Sequence, residues 1–153
     1  MAIFSRRTGL MTLACLTMAS PLLAAGADSV RARVHGYREL GAAFKAVNDG
    51  LRGEPQTVLI QQSARLIRNS AREQYAWFPT GSDASAGVRT AAKPEIWARP
   101  AQFRAAQDAF ARQADVFQRA AASGNVATMR AEARKLGGTC KGCHDQFRVP
   151  PAS

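Results

Sequence analysis

Four stretches of the 153-residue chain place apolar residues three and four apart, and none alternates apolar with polar as a half-buried strand would. The first runs from about Ser29 to Leu51, with Val30, Val34, Tyr37, Leu40, Gly41, Phe44, Val47 and Leu51 on one stripe. It is expected to end at Gly53, with Pro55 opening the next helix, where its missing N–H is harmless. The second carries Leu59, Leu66, Ile67, Ala71, Tyr75 and Phe78 and stops at Pro79. The third begins near Pro100 and shows Phe103, Gln107, Phe110, Ala114, Phe117 and Ala121. The fourth carries Val126, Met129, Ala133, Leu136, Cys140, Cys143 and Phe147, and Pro150 and Pro151 end it. Between the last two, Gly124 suits a helix C-cap position and Asn125 an N-cap. Amphipathic helices of this length, joined pairwise by tight turns, pack as an all-α, antiparallel four-helix bundle.

The stretch "FPTGSDASAGVRTAAKPEIWARP" between the second and third helices is long for a connection inside one compact domain. Connectors of this kind are anchored or functional. Ile96 and Trp97 are its apolar anchors and are expected to fold back onto the bundle. At the other end, "MAIFSRRTGLMTLACLTMASPLLAAGA" has a basic start at Arg6 and Arg7, an apolar run from Leu10 to Leu23, and small residues at Ala25 and Ala27. That is the pattern of a secretory signal, with cleavage expected after Ala27. The run is too short and wrongly flanked for a membrane span. The arginine pair fits the twin-arginine route and ordinary signals alike. Cys15 lies inside the apolar run, a poor place for a lipid anchor.

The reading is therefore a leader over residues 1–27 and one domain over 28–153. Loss of the leader lowers the formal charge from +10 to +8. A basic surface steers toward acidic partners. Nucleic acid is not expected, because the arginines are spread along the chain and an exported protein rarely meets it. Only Cys140 and Cys143 remain, and two cysteines three apart close no loop worth stabilising, so this is not a disulfide scaffold.

Those cysteines belong to "CKGCHDQFR". On a helix, Cys140 and Cys143 stand at i and i+3 and Cys140 and His144 at i and i+4, so all three project to one side. Leu136 and Phe147 extend the same stripe, which directs the group toward the bundle core. C-x-x-C-H is the attachment motif of c-type haem. Two thiols add across the two haem vinyl groups, and the adjacent imidazole coordinates iron from below. Competing chemistries fit less well. A thioredoxin-type C-x-x-C opens a helix after a strand, and no βαβ pattern is present. Zinc wants four ligands, and the only other histidine, His35, would still leave an acidic residue to be found.

Four quoted pieces carry a family resemblance: "YRELGAAFKAVNDGLRGEP", "WFPTGSD", "TAAKPEIWARPAQF" and "CKGCHDQFR". Over essentially the whole mature chain they resemble the class II c-type cytochromes, the cytochrome c-prime family. The resemblance implies a periplasmic four-helix bundle with one covalent haem c near the C-terminal helix. It implies attachment through Cys140 and Cys143, with His144 as the proximal iron ligand. It further implies that the first helix covers the distal face of the haem. Counting back from "LRGE" puts Arg33 and Tyr37 at the pocket positions, and this register also aligns Gly41 and Phe44. A register keyed on "YR" would use Arg38 and Ala42 instead. Neither supplies the methionine that some members use as a sixth ligand.

Tyr37 is then either a tyrosinate ligand or an aromatic wall whose hydroxyl finds a partner. An unperturbed phenol ionises only near pH 10, which favours the wall. His35, two residues away, points elsewhere on the helix. Arg33 and Arg148 are haem-pocket residues by resemblance, and each could equally serve the helix alone. Phe44, Phe103, Phe110 and Phe117 read as plain core. Two functions follow: electron transfer with a periplasmic redox partner bearing an acidic docking surface, or binding of a diatomic gas such as nitric oxide at an open distal site. No acid–base constellation is visible, so catalysis is not expected. A homodimer through the first two helices stays open.

Overall fold

The structure is a computed structural model that describes residues 21–150. Arg6, Arg7, Cys15 and most of the expected leader lie outside the described residues. Four long helices dominate: α1 (Pro21–Gly50), α2 (Thr57–Glu73), α4 (Pro100–Ser123) and α5 (Val126–Phe147). A single turn, α3 (Glu95–Ala98), precedes α4. Each long helix runs antiparallel to its neighbours, with α2 between α1 and α4, and α4 between α2 and α5. Cross-links fix the alignment: Gln61 bonds the Ala121 carbonyl, Arg68 meets Asp115, and Gln74 meets Gln107 at successive heights of the α2/α4 pair. Among the described residues the one extended pairing is an isolated antiparallel bridge between Ala92 and Arg148.

The turns follow local chemistry. Gly124 caps α4 at φ 72°, a left-handed conformation that costs glycine little. Asn125 then accepts the Thr128 N–H at 2.9 Å as the N-cap of α5. The α1/α2 turn departs from expectation. Helix α1 ends at Gly50 and α2 begins at Thr57 after Gln56, so Pro55 lies ahead of the helix instead of at its first position. Helix α1 also begins at Pro21, upstream of the expected Ser29, so Ala27 lies within it. Helix α2 stops at Glu73, and a 3-10 turn (Gln74–Ala76) carries the chain on toward Pro79.

The core is one cluster drawn from all four long helices: Val47, Ile60, Ala64, Ile67, Ala71, Phe110, Ala114, Phe117, Met129, Ala133 and Leu136 are its centre. Leu66 is a correction. It is 59% exposed, and α2 instead buries Ile60, Ser63, Ala64, Ile67 and Ala71. Each residue advances a helix by about 100°, so Leu66 falls outside a stripe centred on its neighbour Ile67. A second cluster, Ile96, Phe103 and Phe147 with Phe78, Trp97 and Cys143 against it, ties the connector to the end of α5. Trp97 donates its indole N–H to the Pro79 carbonyl at 3.3 Å, so both expected anchors do fold back.

Candidate functional site

Helices α1 and α5 meet where Arg130 donates to the Leu51 carbonyl and where Phe44 packs over Gly137. Beyond that point they enclose a cavity of about 550 Å³, a size typical of small-molecule and cofactor sites. One wall belongs to α5: Leu136, Thr139, Cys140, Cys143, His144 and Phe147. The facing wall belongs to α1: Arg33, Val34, Tyr37, Leu40, Gly41 and Phe44. Phe78 and the connector segment Thr90–Ala92 close the side.

The structure thus brings Cys140, Cys143, His144, Tyr37, Arg33 and Arg148 to one cavity from segments about a hundred residues apart. His35 is not among them. Its side chain is 73% exposed and pairs with Glu39 at 3.2 Å, one turn on along the same helix. Ala42, the alternative distal position, is exposed and does not line the cavity, although Arg38 does. Phe44 and Phe110, read as plain core, line it as well.

The electrostatics follow from burial. The Cys143 thiol is pushed up to about 11, first by burial and then by the charge of Cys140, and burial raises Cys140 too. Thiols held protonated in this way are poor redox nucleophiles, which counts against the thioredoxin-type reading. Burial chiefly, with help from the Arg148 charge, lowers the His144 pKa and keeps the imidazole neutral, the form in which it binds metals. On the far wall, burial above all raises Tyr37, and both cysteines add to the effect, so the phenol stays protonated. That favours the aromatic-wall reading over tyrosinate.

Arg33 lines the cavity but its terminal nitrogens are engaged elsewhere. It is 3% exposed and donates to the Trp77 carbonyl, the Ser82 hydroxyl, the Ser82 carbonyl and the Thr90 hydroxyl at 2.8–3.1 Å. Its guanidinium also lies over the Phe78 ring at 4.7 Å. It therefore pins the connector to α1. Arg148 is exposed at the cavity's mouth, where its N–H caps α5 on the His144 carbonyl. Beside it, Lys93 and Val149 N–H groups bond the Phe147 and Ala91 carbonyls, strapping the connector across the end of the helix.

Sequence reasoning gave no site role to Gln74, Gln107, Thr90 or Ala92. Gln74 and Gln107 are buried and clamp each other: each side-chain amide donates to the other's backbone carbonyl at 3.2–3.3 Å. A glutamine on an apolar stripe, as at Gln107, was the available signal. Gln74 has none, because it follows the end of its helix.

The residues fit a haem. Two uncharged thiols at i and i+3 and a neutral imidazole stand on one wall of an apolar cavity large enough for a macrocycle. Among the described residues no three His, Cys, Asp or Glu side chains converge tightly enough to hold a bare metal ion. The donors therefore match a group that brings its own metal and is gripped at its edge.

Comparison with known proteins agrees. The family model for Cytochrome C' matches residues 28–148. A cytochrome c' of Rubrivivax gelatinosus is 42% identical over 87 residues, 57% of this chain and 66% of that protein. A cytochrome c' of Rhodopseudomonas palustris is 32% identical over 139 residues, 88% of this chain and 90% of that one. The crystal structure of the Rubrivivax gelatinosus cytochrome c' is similar with a TM-score of 0.75 at 28% identity, covering 80% of this chain and 96% of that chain. Proteins of this kind carry a covalently bound haem c. A matched family model over most of the chain, a shared fold and a cavity with Cys140, Cys143 and His144 on one wall lead to one conclusion: the chain belongs to the cytochrome c' family.

Proposed function

We propose that this chain is a periplasmic monohaem electron carrier, with its haem linked to Cys140 and Cys143 and its iron held by His144, and that it is not an enzyme. The observation that carries the reading is the α5 wall of the cavity, where both thiols and the imidazole face one apolar space. Haem bound there supplies a one-electron couple. The chain's own part is to grip, shield and orient. Phe147, Leu136 and Phe110 exclude water, and the bundle core holds α5 in place. Among the described residues no Asp or Glu lines the cavity, which supports a carrier over an acid–base catalyst. Arg38 and Arg148 at the rim add a positive field suited to an acidic partner. Export through the leader over residues 1–27 is part of this reading. Among the described residues no helix is long and apolar enough to cross a membrane. Val58 and Leu66, exposed on α2, support a homodimer through α1 and α2, which sedimentation would test.

A second reading, binding of a diatomic gas such as nitric oxide, is favoured by the α1 wall. Val34, Tyr37, Leu40 and Phe44 offer no methionine or histidine to the iron, and Tyr37 stays protonated. Absorption spectra of the ferric and ferrous protein, with and without carbon monoxide, separate the two. A high-spin ferric spectrum and a ferrous spectrum shifted by the gas are expected from an open distal side. A low-spin spectrum unmoved by the gas leaves electron transfer alone. A colourless product would refute both.

A further inference from the structure

Tyr37 and Gln74 are half-buried and buried residues on the same cavity wall, and each needs a hydrogen-bond partner there. The Gln74 side chain is 3% exposed, and both protons of its amide nitrogen are in use. One goes to the Ala71 carbonyl at 3.2 Å and the other to the Gln107 carbonyl at 3.3 Å. Gln107 returns a bond to the Gln74 carbonyl at 3.2 Å, so the pair of glutamines locks the turn after α2 onto α4. An amide with its nitrogen committed twice has a fixed orientation, and its oxygen must face the other way. That oxygen lies 3.5 Å from the Tyr37 hydroxyl, a long contact. It is nonetheless the only hydrogen bond of either group among the described residues. Trp77, edge-on to the Tyr37 ring at 4.8 Å, limits how far the ring can swing from it.

We propose that Gln74 is a positioning residue for the distal pocket: its fixed carbonyl oxygen accepts the hydrogen bond of the Tyr37 hydroxyl, so the phenol covers the open haem face without donating to a bound gas. The inference rests on the open distal site of the second reading above.

The test is the infrared C–O stretch of the ferrous carbon monoxide complex of the full haem-loaded protein. A donor aimed at the bound gas weakens the C–O bond and lowers its frequency. Tyr37→Phe is expected to leave the wild-type frequency in place, because no proton is lost from the ligand's surroundings. Gln74→Leu is expected to lower it, because the hydroxyl is then released toward the gas. The double variant should return to the wild-type value. A rise in frequency in Tyr37→Phe overturns the inference, as does a folded, gas-binding Gln74→Leu protein with an unmoved band. If Gln74→Leu does not fold, Tyr37→Phe decides alone. A wild-type protein that takes up no carbon monoxide refutes the open-site reading, and the inference falls with it.

Discussion

Arg33 places a buried positive charge beside the haem cavity with no carboxylate partner, an arrangement that costs several kcal/mol unless dipoles replace the lost water. Here the Trp77 carbonyl, three oxygens of the connector and the face of Phe78 do so, and burial lowers the guanidinium pKa. Arg33→Met is therefore expected to destabilise the protein by about 2–4 kcal/mol. The connector near Ser82 and Thr90 should become the first site of proteolysis. A urea midpoint equal to wild type would show that the four bonds do not hold the connector. Cys140 and Cys143 make a second prediction at this scale. With both changed to alanine, the haem should extract into acidified organic solvent, whereas wild-type haem stays with the chain. Retained colour in the double variant would contradict attachment at these positions. His144, Cys140 and Cys143 were legible from their spacing, because a motif within five residues on one helix face needs no tertiary information.

At the scale of the element, two glycines on long helices differ in what surrounds them. A Cβ at Gly36 of α1 would stand 2.5 Å from the Trp77 ring, which itself packs on Tyr37. Gly36→Ala should thus cost about 1–3 kcal/mol through overpacking, and should perturb the haem spectrum by displacing Tyr37. A Cβ at Gly138 of α5 meets nothing within 4 Å. Gly138→Ala should stabilise by roughly 0.5–1 kcal/mol, the helix-propensity difference alone. Thermal melts of the two variants should move in opposite directions, and a shift of the same sign in both would refute the packing argument. The helices themselves were readable from periodicity. Their rotation was not, and Leu66 marks the error: one position of slip on α2 turned an expected core residue outward.

The whole molecule's response to alkali depends on whether the thiols are free. In the haem-free chain the folded Cys143 thiol titrates at about 11 against 9.0 for an ordinary one, and Cys140 and Tyr37 are raised as well. Each group binds its proton more tightly folded than unfolded. As pH rises past about 9 the unfolded chain sheds protons that the folded chain keeps, so stability falls with pH. The loss should run from about pH 9 to 11, with Tyr37 extending it upward. Thioether-linked cysteines have no proton to lose, so the haem-loaded protein should hold its stability until near pH 10, where Tyr37 and Tyr75, both raised in the folded chain, begin to contribute. Melting temperatures of the two forms between pH 8 and 11 would check this, and parallel curves would count against it. Sequence by itself determined the helical class, the four long helices and a C-x-x-C-H group on one helix face, all set by spacings within single helices. It also placed Arg33 and Tyr37 on one helix with their functions undecided. Only the tertiary structure decided that Arg33 serves the connector, that Tyr37 and not Ala42 faces α5, and that Gln74 reaches the pocket. The Arg33 and Gln74 bonds join residues 37 to 57 apart in the chain, Tyr37 and α5 lie farther apart still, and all depend on how each helix is rotated and how a long connector folds back, which no local pattern records.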